Sequence, residues 1–176
     1  MTYYGSQQLA ASFRQVRGNT IQIAEDIPEN KYDFRPAPDT RSVAQLLAHI
    51  ALASRWYMNR IDDWKTVDMS ELVAKMEAEE AKARTKAELI ALLREEGDKF
   101  ASYLESLSEA FLSEQVPLPP GSTPATKSQF ETMLSAKEHE MHHRGQLMLI
   151  ERMLGIEPHL TRLMQQRMAQ FQQAQR

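Results

Sequence analysis

With 176 residues, the chain has the length for one well-buried helical core, and residues 1–176 are expected to form a single domain. Its formal net charge of −3, with both signs interspersed, excludes the clustered cationic surface that a nucleic-acid backbone requires. The absence of cysteine excludes a disulfide framework, a thiolate metal site and a cysteine nucleophile, so any sulfur chemistry must arrive with a ligand.

The opening MTYYGSQQLAASFRQ lacks the basic start and apolar stretch of a secretory signal. No later segment approaches the roughly 20 apolar residues of a membrane span, so a cytoplasmic location is expected. Leu9, Phe13, Val16 and Ile23 recur at helical spacing and predict a first helix over about 6–26. IPENKYDFRPAPDTR then breaks the pattern with Pro28, Pro36 and Pro38, giving a long connection that Tyr32 and Phe34 could pack. Ser42 and Gln45 have capping-box spacing and open a second helix running to about residue 61.

From Met69 to about Lys82 the chain is rich in Glu, Ala and Lys, which predicts a short exposed helix of little chemical weight. A second capping box, Thr85 with Glu88, opens a third long helix. Leu89, Leu92, Leu93, Phe100, Tyr103, Leu104 and Leu107 supply its core contacts. PLPPGSTPA, residues 117–125, is a loop across the end of the bundle. Thr126 with Gln129 is expected to start a fourth helix reaching Leu154, capped by Gly155, and a fifth amphipathic helix follows over Leu160–Phe171. No segment alternates with period two. The predicted fold is all-α, a four-helix bundle with short accessory helices.

Three of the five histidines fall in the run His139, Glu140, Met141, His142, His143. Residues four apart on an α-helix lie about 40° apart on one face, so His139 and His143 can share one ion. They lie on a stripe with Thr132, Ala136, Leu147 and Ile150, which faces inward. On the second helix His49 shares a face with Leu46, Ile50, Ala53 and Tyr57, with Trp56 at its edge. His49, His139 and His143 are therefore the candidate metal ligands, three imidazoles with a fourth position left for water or substrate. Small Ala53 and Ala136 leave room beside the ion. His142 lies beside Leu149 and Met153 and is expected to face a neighbouring helix, a subunit contact or solvent, while His159 follows Pro158 in a turn and is expected to be solvated.

The same run reads as H-E-x-x-H, the zinc-protease signature with Glu140 as general base. Gln146 stands where the extended form of that motif has glycine, and no glutamate follows Glu157, so a protease is disfavoured and Glu140 is expected on the solvated side. A di-iron bundle would need a second E-x-x-H, which the chain lacks. Phe130, Leu134, Met141 and Met148 form a second apolar stripe, which predicts a homodimer contact or coverage by the last helix.

IPENKYDFRPAPDTRSVAQLLAHI and HEMHHRGQL resemble segments of the DinB/YfiT-like superfamily of helical-bundle metalloproteins, over nearly the whole chain. The resemblance maps that family's metal ligands onto His49, His139 and His143. Arg41 departs from the pattern, since many relatives carry Trp there. The resemblance implies a divalent metal ion, often zinc or nickel, together with frequent dimerisation; zinc is the ion expected first, with nickel, iron or manganese as alternatives. It also implies the use of low-molecular-weight thiols such as bacillithiol or mycothiol for transfer or isomerisation. Two readings follow. One is a metal-dependent thiol S-transferase for detoxification, with Trp56 and Gln146 lining a substrate pocket and metal-dependent hydrolysis as a variant. The other is a non-catalytic metal or small-ligand binding bundle, which a fourth ligand from His142 or a carboxylate would favour.

Overall fold

The computed structural model describes residues 4–59 and 63–175. Among them, four long α-helices form the bundle: α1 (Ser6–Asp26), α2 (Val43–Met58), α4 (Lys86–Ser106) and α6 (Gln129–Met153). Between and after them lie α3 (Met69–Glu80), α5 (Glu109–Ser113), strands β1 (Gln115–Pro117) and β2 (Thr126–Ser128), and α7 (His159–Ala174). Helices α1 and α2 each pack on both α4 and α6, α3 lies on α2, and α7 lies against α1. No helix among the described residues is long and apolar enough to cross a membrane.

Local chemistry sets most boundaries. Ser42 with Gln45 and Thr85 with Glu88 both form complete capping boxes, each satisfying orphan amides at a helix start. Helix α6 starts two residues later than expected, on the Ser128–Glu131 box. A carboxylate suits the positive end of the helix better than the Gln129 amide does. Thr126 to Ser128 instead pair antiparallel with Gln115 to Pro117, and Leu118 N–H to Ala125 O (2.9 Å) continues this closure of the proline-rich loop. The fold is all-α as expected, and this small sheet and the short α5 are additions to it that the sequence pattern does not announce, since three-residue strands are too short to alternate. Helix α2 ends at Met58 with Asn59 as its cap, and the expected extension to residue 61 lies outside the described residues.

Gly155 takes φ +76°, with its N–H on Arg152 O (3.0 Å) and Ile156 N–H on Glu151 O (2.8 Å). These are the two bonds of a Schellman stop, at the expected residue.

The core falls into two apolar clusters. One joins Ile23, Ile27, Val43, Leu47, Leu89, Leu93 and Leu147; the other joins Leu9, Phe13, Phe100, Leu104, Met133 and Ala136. On α1 and α6, a polar layer separates them in chain position. Arg17 crosses there, donating from Nε to both oxygens of Glu140 (2.9 and 3.0 Å), from Nη1 to Leu93 O (2.7 Å) and from Nη2 to Ile50 O (3.2 Å). Thr20 Oγ1 adds a bond to Glu140 Oε1 (2.7 Å). Gly97 makes room for this arginine, because a Cβ at that position would stand 2.9 Å from Arg17 Cγ.

The apolar stripe on α6 divides. Phe130 and Leu134 pack against one cluster and Met148 against the other, while Met141 remains exposed. Leu149 and Met153 on α6, and Leu163, Met164, Met168 and Phe171 on α7, are also exposed. The last helix packs on α1 and leaves these side chains uncovered in the chain by itself.

Candidate metal centre

Helix α2 carries His49 inward among Leu46, Ile50 and Ala53, and α6 presents His139 and His143 one turn apart. Their Nε2 atoms form a nearly equilateral triangle: 3.1 Å from His49 to His139, 3.1 Å from His49 to His143 and 3.2 Å between His139 and His143. Among the described residues no fourth His, Asp or Glu joins this group.

Hydrogen bonds on the far side of two rings fix their tautomers. His49 Nδ1 donates to Glu80 Oε1 at 2.6 Å, and His143 Nδ1 donates to Gln146 Oε1 at 2.8 Å. Both Nε2 lone pairs therefore face one another at 3.1 Å. A single proton on His139 Nε2 can relieve only part of this crowding, whereas a cation satisfies all three nitrogens. The corners of such a triangle lie about 1.8 Å from its centre (edge divided by √3), within the roughly 2.0–2.1 Å of a zinc–imidazole bond, so one ion just off the plane can reach all three. The donor set thus fits a divalent metal.

The electrostatics agree. Burial pushes His139 down to about 4, reinforced by the neighbouring His143, His49 and His142 rings and by Arg41. Burial likewise lowers His143, against the opposing hydrogen bond to Gln146. These imidazoles are neutral at neutral pH, the form in which they bind metal. The buried Nδ1 of His139 has no hydrogen-bond partner among the described residues.

Glu80, on the helix expected to carry little chemistry, is the functional residue that the sequence reading missed. Its side chain is 8% exposed, one oxygen accepting from His49 and the other from Arg41 Nε at 2.8 Å. Burial raises its pKa, but the bonds from His49 and Arg41 outweigh burial and hold the carboxyl below its usual range. The sequence held a signal for it: Leu72, Met76 and Glu80 step by four residues, which carries a carboxylate onto the apolar stripe of α3.

Three expectations require correction. Glu140 is not solvated; it is 2% exposed and bound to Arg17 and Thr20, so it is not free to act as the base of a zinc-protease mechanism. His159 is not solvated either, being 6% exposed with its Nε2 3.2 Å from Asn19 Oδ1. Helix α3 is not chemically inert. His142 is exposed, its ring edge-to-face with His143 at 4.8 Å, and it stands outside the triad.

Two cavities flank the triad. A larger one of about 660 Å³, of mixed lining, is bordered by His143 with the charged or polar Arg35, Asp39, Arg41, Gln45, Glu77 and Gln146 and the apolar Leu46, Leu149 and Ile150. An apolar one of about 270 Å³ is bordered by His49 and His139 with Trp56, Tyr57, Met69, Leu72, Val73 and Met76. Gln146 and Trp56 thus lie in different walls.

Four long helices enclosing a cluster of inward imidazoles define the class of DinB-like four-helix bundles. The chain belongs to the DinB superfamily, whose sequence profile matches residues 12–147. The protein YjoA of Bacillus subtilis (strain 168) is 29% identical over 151 residues, covering 85% of this chain and 91% of YjoA. The crystal structure of YjoA matches with a TM-score of 0.60 at 22% identity, over 84% of this chain and 92% of that one. YfiT from Bacillus subtilis, described as a probable metal-dependent hydrolase with an unusual four-helix bundle topology, matches with a TM-score of 0.62 at 16% identity, over 89% and 91%. A mycothiol-dependent maleylpyruvate isomerase matches with a TM-score of 0.62 at 13% identity, over 84% of this chain and 63% of that longer one. At these identities the solved structures establish the shared fold.

Proposed function

We propose that this protein is a divalent-metal-dependent enzyme that transfers a small thiol onto an electrophile, with His49, His139 and His143 as the ligands and zinc as the ion. The observation that carries this reading is the triangle of Nε2 atoms, two of them held as lone-pair donors by Glu80 and Gln146, beside a cavity rather than beside a fourth ligand. Structural zinc sites are closed by four protein ligands, so an open three-histidine site favours catalysis over a purely binding role. When bound, the ion supplies positive charge that lowers the pKa of a co-substrate thiol, providing the nucleophile that a cysteine-free chain lacks.

The chain's own residues then have assigned tasks. Glu80 and Gln146 hold the His49 and His143 rings, and Ala53 keeps the space beside the triad open. The thiol sulfur forms a bond to the electrophilic carbon, the bond to the leaving group breaks with its electron pair, and the thiol proton passes to solvent through the larger, open cavity.

The similarity to YfiT makes hydrolysis the second reading. It is disfavoured in its peptidase form because Glu140, the only glutamate in the histidine run, is bound to Arg17.

Consumption of a thiol by zinc-loaded protein in the presence of 4-nitrobenzyl chloride, abolished by chelation and restored by zinc, is the expected result. Absence of metal-dependent consumption across a panel of thiols and electrophiles would overturn the reading. Elemental analysis of untagged protein tests zinc against nickel, iron and manganese. The reading includes a homodimer, supported by the exposed Met141, Leu149 and Met153 of α6 and the exposed apolar residues of α7, and sedimentation equilibrium tests it.

A further inference from the structure

Helix α3 roofs the triad with two kinds of surface. Its first two turns give Met69, Leu72, Val73 and Met76 to the apolar cavity beside His49 and His139, and its last turn gives Glu77 and Glu80 to the larger cavity beside His143. Two spaces of unlike lining therefore meet at one centre, one carrying charged groups among apolar ones and the other almost wholly apolar.

The larger cavity is specific in its charges. Arg41 uses Nε on Glu80, and its Nη groups make no hydrogen bond among the described residues; Arg35 uses one Nη, on the carbonyl of Thr40. The carboxylates of Asp39 and Glu77 likewise hold no hydrogen bond or ion pair among the described residues. Two cations with spare donors and two uncommitted anions around one cavity complement a ligand that carries both signs. At about 660 Å³ the space suits a small metabolite. The apolar cavity, at about 270 Å³ with two methionines, a leucine and a valine in its wall, admits one aromatic ring or a short alkyl chain.

Resting on the thiol-transfer reading above, we infer that the thiol is zwitterionic, carrying a carboxylate for Arg35 and Arg41 and an ammonium for Asp39 and Glu77, and that the electrophile is a small apolar molecule held under α3 against Trp56. The two substrates bind on opposite sides of the triad, at the same time.

Binding and turnover test this separately. Saturation-transfer NMR on the zinc-loaded protein, with serine as the unreactive isostere of cysteine, is expected to show binding that Arg35→Gln and Glu77→Gln each weaken about tenfold. Both residues are exposed, so neither variant threatens the fold. 4-Nitrobenzyl alcohol, an unreactive analogue of the electrophile, is expected to quench tryptophan fluorescence saturably, since Trp56 lines the cavity and the Trp64 ring centroid lies 6.0 Å from that of Trp56. Val73→Glu, at an exposed edge of the wall, and Ala53→Leu, which fills the space, are each expected to abolish this quenching.

A second cavity beside both tryptophans, lined by Tyr103, Phe111 and Pro117, would give quenching that these two variants leave unchanged, and that result would overturn the apolar half. Serine binding indifferent to both charge variants would overturn the zwitterion. In kinetics, Arg35→Gln is expected to raise KM about tenfold for cysteine and less than twofold for 2-mercaptoethanol, while Val73→Glu raises only the KM for 4-nitrobenzyl chloride. Probe binding with this pattern but no thiol consumption would defeat the thiol-transfer reading and leave the ligand classes standing. Thiol transfer with kinetics unmoved by these variants would do the reverse.

Discussion

Glu80 accepts the Nδ1 proton of His49 at 2.6 Å, although the two residues stand on different helices and 31 positions apart in the chain. This carboxylate–imidazole pair settles which nitrogen of His49 faces the other two rings. Arg41, on the second oxygen of Glu80, holds the carboxylate in place. Outer-sphere carboxylates of this kind orient a ligand and increase its basicity.

Removing that support is therefore expected to weaken metal binding without removing a ligand. Glu80→Ala should lower zinc affinity about 10–100-fold, the usual cost of losing such a partner. Glu80→Gln should recover part of the loss, because an amide oxygen still accepts from Nδ1. Competition with a chromogenic chelator measures both, and affinity within twofold of wild type in Glu80→Ala would remove the assigned role.

Single alanine replacements of His49, His139 and His143 are each expected to reduce bound metal from one ion per chain to a small fraction, with helical circular dichroism retained. His142→Ala should keep one ion per chain, since its ring lies outside the triangle. Elemental analysis after gel filtration reads the stoichiometry. Full occupancy in any of the three ligand variants would contradict the assignment.

The Arg17–Glu140 pair governs stability rather than chemistry. Glu140→Ala strands a guanidinium that is almost wholly buried, which costs about 3–5 kcal/mol. For a chain of this length, a fall in Tm of about 10 °C follows. Replacing both partners, with Arg17→Met and Glu140→Leu, should lose much less, because no unpaired charge remains. Thermal melts of the three proteins decide it, and a Glu140→Ala protein melting within about 2 °C of wild type would contradict the claim.

Glu151 gives the stability of this fold a pH dependence. Its side chain is fully buried at the end of α6 and neither carboxylate oxygen has a hydrogen-bond partner among the described residues. Burial and then the charge of Asp26 push it up to about 7, with Arg162 and Arg152 opposing. Between its ordinary value near 4.5 and about 7, the folded chain holds a proton that the unfolded chain has released. Its contribution to stability is thus complete below the lower value and is lost as pH rises through the upper one. Glu151→Gln should melt a few degrees above wild type at pH 8, and within about 1 °C of it at pH 4.5. Equal differences at both pH values would exclude Glu151 as the source.

Much of the candidate site was legible because helical periodicity converts sequence spacing into facing. His139 and His143 share a stripe with Ala136, Leu147 and Ile150, and His49 shares one with Leu46 and Ile50, so spacing alone turns all three rings inward. Glu140 was misread because α6 is buried on two sides. The layer facing α1 carries a charge pair rather than an apolar residue, and only Arg17, 123 positions away, reveals it. The β1–β2 pairing escaped for a related reason, since three-residue strands are held by backbone bonds across a loop and leave no side-chain pattern.

The sequence by itself determined the four long helices, the caps at Ser42, Thr85 and Gly155, and which faces of α2 and α6 carry histidine, because these depend on spacings of three or four residues and on local hydrogen bonds. Only the tertiary structure decided that three Nε2 atoms from two helices meet within about 3 Å, that Glu80 from a third helix selects the tautomer, and that Glu140 is committed to Arg17. Those outcomes depend on how the helices are rotated and set against one another. That is fixed by packing among residues distant in the chain, which no local spacing encodes.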